Sequence, residues 1–171
     1  MQRVLSGFVK RMDATSESIG LTVRWLVLFM MGIMVFEMFA RRFFNAPTIW
    51  AHELDTMLFG AYFLLGGAYV LRHEAHVNLD LLYRKLSPQA QARMDTVTYT
   101  LMFIYCYVLL LYAIPYAWDS VSRFEHGTTR WGPPLWPLKL IIPISVILLM
   151  FQGIARYIRS LYLAVTGRQL T

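Results

Sequence analysis

Glu37 is the residue that most invites a chemical reading, because it stands inside a long apolar run. A carboxylate there costs energy, and such acids often mark proton or ion pathways. Arg41 follows four residues later, on the same face of a helix. Glu ahead of Arg at that spacing forms a favourable pair. Glu37 also lies near the end of its run rather than at its centre. Structural pairing is therefore the favoured reading, with ion coupling as the alternative. Arg41, Arg42, Glu53 and Asp55 flank a short connection containing Asn45-Ala46-Pro47. That arrangement predicts a salt-bridge cluster that clamps two helices beneath Trp50. The arginines could instead recognise an anionic solute, but carboxylates so close would neutralise much of their field.

Other reactive side chains support less. A bis-histidine haem needs two imidazoles facing each other at one depth in a helical core. His52, His73, His76 and His126 all fall outside the apolar runs. His73 and His76 bracket Glu74 but lack further ligands at helical spacing. Surface or hydrogen-bonded histidine is the simpler reading. Cys106 is the single cysteine, so neither an internal disulfide nor a cysteine zinc cluster can form. Flanked by Tyr105 and Tyr107, it reads as a packing thiol. Ser120, Ser122 and Ser145 lack a nucleophile-elbow pattern, and no glycine-rich phosphate loop is present. No cofactor is expected.

The elements that carry these residues follow from composition. Of 171 residues, 57% are hydrophobic and 15% charged, against roughly 25% charged in an average soluble domain. Mean hydropathy is +0.48. Four apolar stretches cover residues 20–39, 54–71, 96–117 and 138–157. Each would extend roughly 27–33 Å as a helix, enough to cross a bilayer core. They must be helical, because lipid leaves no partner for free backbone groups. The first stretch sits behind a polar, amphipathic leader and is followed by Ala40-Arg41-Arg42, which makes a poor cleavage site. It should remain as an anchor. The chain thus reads as an all-α integral membrane protein, with residues 1–171 forming one four-helix transmembrane domain.

Eleven of the 16 Lys and Arg fall on the side that holds the termini, so both termini should be cytoplasmic. The net charge of +6 suits orientation and contact with phospholipid headgroups better than nucleic acid. Residues 3–13 and 77–86 are amphipathic and should form helices on the inner membrane surface. Ser87-Pro88 reads as an N-cap followed by the first helical position of a long third helix. Pro115 and Pro143 predict bends. Gly60 and Gly67 share a face and suggest close helix approach.

Three motifs then resemble one family. The first runs from Arg41 and Arg42 through Phe44-Asn45-Ala46-Pro47 to Trp50 and Glu53. The second comprises Gly67-Ala68, Arg72, His76 and Asp80. The third is Pro134-Leu135-Trp136-Pro137 with Lys139 and Pro143. Together, on four spans, they resemble the small permease subunit of TRAP (tripartite ATP-independent periplasmic) transporters, the DctQ-like family. Many members carry two adjacent acids after the tryptophan; His52 stands at the first of these positions. The charge pairing near the span ends and the three motifs together give the structural or interface candidates: Glu37, Arg41, Arg42, Trp50, Glu53, Asp55, Arg72, His76, Asp80, Trp136 and Lys139. The resemblance implies a bacterial inner-membrane location and two protein partners, a large permease subunit and a periplasmic substrate-binding protein. The large subunit would move an organic acid by an elevator motion coupled to sodium held there. This chain would be its non-catalytic scaffold. Two other classes compete: an autonomous small transporter or pore using Glu37 as coupling acid, and a membrane cytochrome subunit.

Overall fold

The computed structural model describes residues 2–73 and 87–166. The amphipathic segment 77–86, with His76 and Asp80, lies outside the described residues. Among those described, four long helices carry the fold: α1 (Gln2–Phe43), α2 (Ala51–Arg72), α3 (Pro88–Ser122) and α4 (Trp136–Thr166). All four contain a stretch long and apolar enough to cross a membrane. The start of α1 and the end of α4 meet, because Arg159 donates to Asp13. The first turns of α1 and the last turns of α4 therefore lie at one end of the bundle.

The helices are longer than the apolar stretches, for local reasons. Residues 3–13 are helical as the periodicity requires, but they form no separate surface element. α1 runs on without a break for 42 residues, about 63 Å. No proline interrupts the leader, so nothing ends the helix before the span begins. α1 stops where Asn45 adopts a φ of 48°, a left-handed conformation that asparagine tolerates better than most residues. α2 begins at Ala51, ahead of the apolar run, and Glu53 in its first turn complements the helix dipole. α3 starts at the expected cap: Ala90 N–H donates to Ser87 Oγ at 3.3 Å. It ends in a Schellman motif, with Phe124 N bonded to Val121 O and Glu125 N to Ser120 O. Phe124 there has a φ of 46°, at a position that favours glycine. Pro115 and Pro143 both lie inside continuous helices.

α4 is the central helix, since it packs against each of the other three. A third of its apolar window is buried, against about a tenth of the others. Contacts are made by small residues: Ala51, Ala68, Cys106, Ala113, Ala117 and Ala155 are all buried. Such residues let helix backbones approach closely, the usual source of cohesion in lipid. A Cβ on Gly20 would lie 2.1 Å from the Tyr69 ring, so α1 and α2 touch at glycine. The expected glycine face on α2 is only half used. Gly60 approaches Leu138, whereas a Cβ on Gly67 would meet nothing within 4 Å. Large apolar side chains cover the outside, including Leu28, Phe63, Leu101 and Tyr112. Water-soluble monomers rarely expose so much contiguous apolar surface, so this coat suits lipid or a protein partner.

Candidate functional site

Polar side chains gather at the two ends of the bundle. On α1, Ser16 and Glu37 mark these two belts; 21 residues separate them, about 32 Å of helix. That matches a hydrocarbon core of about 30 Å.

The belt near the termini is a connected network. Gln152 of α4 is fully buried. Its Oε1 accepts from Ser16 Oγ at 2.8 Å, and its Nε2 donates to Asp13 Oδ1 at 2.9 Å. Arg159 donates to the other Asp13 oxygen. Arg72, at the end of α2, donates to Asp13 O at 2.8 Å and also to Glu17. His73 Nε2 lies 3.0 Å from the same Glu17 oxygen. Arg156 donates to the Arg72 carbonyl. Three helices, α1, α2 and α4, are thereby tied in register. Of these residues, only Arg72 stood among the sequence-derived interface candidates. Asp13, Ser16, Glu17, Gln152 and Arg159 were missed. A signal existed: Gln152, Arg156 and Arg159 share one helical face, and a polar amide within an apolar span needs a partner.

At the opposite end, Glu37 is buried and both of its oxygens are occupied. Arg41 Nη2 donates to Oε1 at 2.7 Å, and Thr48 N donates to Oε2 at 3.1 Å. The Thr48 hydroxyl also donates to Oε2. Glu37 thus pins the α1–α2 connection onto α1. Trp50 stacks on Phe36 with ring centroids 6.1 Å apart. The expected cluster joining Arg41 and Arg42 to Glu53 and Asp55 does not form. Arg41 is taken by Glu37, and Arg42 pairs with no carboxylate among the described residues. Glu53 instead accepts from Thr129 at 2.7 Å, reaching the α3–α4 connection. Asp55 Oδ1 is buried without a partner. Glu37 is satisfied by its own helix and by the connection, and Glu53 and Asp55, two positions apart on α2, point to different faces.

Trp136 opens α4. One turn later, Lys139 pairs with Glu125 and lies 4.3 Å from the Tyr116 ring centroid. This closes the α3–α4 connection, whose bridge joins His126 to Pro134. The hydrogen bond from Lys139 holds the Glu125 carboxyl below the usual glutamate range. A depressed carboxyl stabilises the fold fully above its unfolded pKa and loses that contribution as pH falls through the folded one. Thermal unfolding should therefore show wild type ahead of Glu125→Gln at neutral pH, with the gap closing below the glutamate range. A gap that stays constant with pH would contradict the pairing.

Among the described residues, no three His, Cys, Asp or Glu side chains converge on a point that could hold a metal. What the geometry offers is mechanical: apolar helices fastened at both ends. Fold and site together define a small multi-pass membrane bundle with a polar clasp at each face. The profile of the family described as "Tripartite ATP-independent periplasmic transporters, DctQ component" matches residues 30–162. The chain belongs to that family, and is a TRAP transporter permease component of the bacterial inner membrane. It is also similar to the sialic acid TRAP transporter permease protein SiaT of Haemophilus influenzae (strain 86-028NP). Identity is 24% over 132 residues, 75% of this chain and 20% of the relative. The chain thus spans about a fifth of the length of that relative.

Proposed function

We propose that this chain is the small, stationary membrane subunit of a TRAP transporter. It braces a larger elevator-type permease during sodium-coupled, binding-protein-dependent uptake of an organic acid. The termini face the cytoplasm, and residues 1–171 act as one four-helix domain. Sodium and substrate bind on the larger part, and a periplasmic binding protein delivers the substrate. The observation that carries this reading is the Ser16–Gln152–Asp13–Arg159 chain, buried at Ser16 and Gln152 and part-buried beyond, which locks α1 to α4. An elevator needs a wall that does not move with the cargo. A bundle cross-linked at both faces resists the sliding that would spoil such a wall. The name of the relative suggests a sialic acid as one candidate cargo for the system.

Glu37 separates this reading from that of a self-sufficient transporter. Its carboxylate already serves Arg41 and Thr48, which leaves it poorly placed to load and unload a coupling ion. In the assembled system, Glu37→Gln should keep substrate uptake, with at most a modest fall in abundance. Loss of uptake at normal abundance would favour the coupling-acid reading. The docking itself is tested by isolating the tagged chain from native membranes in mild detergent. A larger permease should come with it in fixed proportion, and isolation of the chain alone would count against the proposal.

A further inference from the structure

A groove of about 560 Å³ opens between the helices on the half of the bundle nearer the termini. Val23, Gly66, Gly67, Val146 and Leu149 contribute to its lining, which is almost wholly apolar. Ser145 also lines it, but its hydroxyl is spent on the Ile142 carbonyl at 2.7 Å. Gly66 and Gly67 leave space: a Cβ on either would meet nothing within 4 Å. Among the described residues, the one cation on the lining is Arg24. It is exposed and pairs with no carboxylate among the described residues; its guanidinium lies 5.6 Å from the Trp25 ring centroid.

Arg24 is eight residues along α1 from Ser16, about 12 Å inside the polar clasp. Helical side chains lean toward the N-terminus, so its stem runs back toward that membrane face. Long basic side chains at such depths reach for the headgroup level, where tryptophan also settles. A guanidinium left without a carboxylate there calls for an anionic oxygen, and phosphate suits its fork of donors. An apolar slot leading away from that charge suits a hydrocarbon chain. We propose that this groove holds an acyl chain of a phospholipid from the leaflet on the side of the termini, with its phosphate on Arg24. The bound lipid fills the space left by Gly66 and Gly67 and becomes part of the wall. This goes beyond the scaffold role and requires only that the chain sits in a bilayer.

Native mass spectrometry of the full chain, extracted in mild detergent and titrated with phosphatidylglycerol, tests the proposal. Wild type should retain one lipid after the detergent is stripped. Arg24→Gln should weaken retention about tenfold, as for one lost charge-assisted contact, and Arg24→Lys should recover part of it. Gly67→Leu should displace the lipid while melting temperature and helicity hold, because its side chain enters open space. Retention unchanged in both Arg24→Gln and Gly67→Leu overturns the proposal. So does a Gly67→Leu chain that keeps its lipid but no longer isolates with a larger permease, since the groove would then seat protein.

Discussion

Gln152→Leu should destabilise the bundle more than any other single replacement of a polar side chain. Leucine fills nearly the same volume but removes an acceptor from Ser16 and a donor to Asp13. Both partners stay in a buried or part-buried setting, and Gln152 itself is fully enclosed. An unsatisfied buried group costs about 1–3 kcal/mol. Interhelical bonds in lipid sit at the lower part of that range, because the loosened chain finds other partners. Two lost bonds then amount to about 2–4 kcal/mol, with Arg159 left facing a half-satisfied Asp13. Reversible unfolding in mixed detergent micelles measures this directly. The double mutant Asp13→Ala with Gln152→Leu should cost less than the sum of the singles, since the two act as one unit. A loss below about 0.5 kcal/mol for Gln152→Leu would show that the network carries no stability.

The second large effect is steric. Gly20→Ala should push α1 away from α2, whereas Gly153→Ala should be much milder. The new Cβ at position 20 would lie 2.1 Å and 2.3 Å from ring atoms of Tyr69 and 2.8 Å from its Cβ. That Cβ is fixed to the backbone, so a rotamer change cannot clear the clash. At position 153 the nearest atom, at 2.2 Å, is the terminal methyl of Met102, which swings aside easily. Overpacking of the first kind costs about 1–3 kcal/mol. Because Tyr69 also packs on His73, with centroids 4.4 Å apart, the shift would disturb the contact of His73 with Glu17. Melting temperature in detergent should fall clearly for Gly20→Ala, and Tyr69→Gly in the same chain, which removes that Cβ as well as the ring, should recover part of the loss. Equal effects at the two glycines would contradict this account of the α1–α2 contact.

The four spans were legible because lipid demands apolar length, and hydropathy records it directly. Their ends were less so. Ala51, His52 and Glu53 belong to α2, but polar side chains in a first turn look like a loop to a hydropathy window. The leader merged into α1 for the converse reason: amphipathic periodicity reports a helix and says nothing about where it joins the next. Glu37 with Arg41 could be read from spacing alone, since both partners lie on one helix. Arg42, Glu53 and Asp55 could not. Their partners depend on how α1 and α2 rotate about their axes, and a list of charges near a turn leaves that rotation free. Gln152 escaped notice because one neutral amide barely lowers the hydropathy of its span. Only the positions of Ser16 and Asp13 on another helix show that it is a fastener.

Reconstitution tests the central claim most directly. Liposomes carrying this chain alone, the larger permease alone, or both would be given a sodium gradient, the periplasmic binding protein and its labelled organic acid. Uptake should be absent with this chain alone and full only when both membrane components are present. Sodium-driven accumulation by this chain alone would contradict the account.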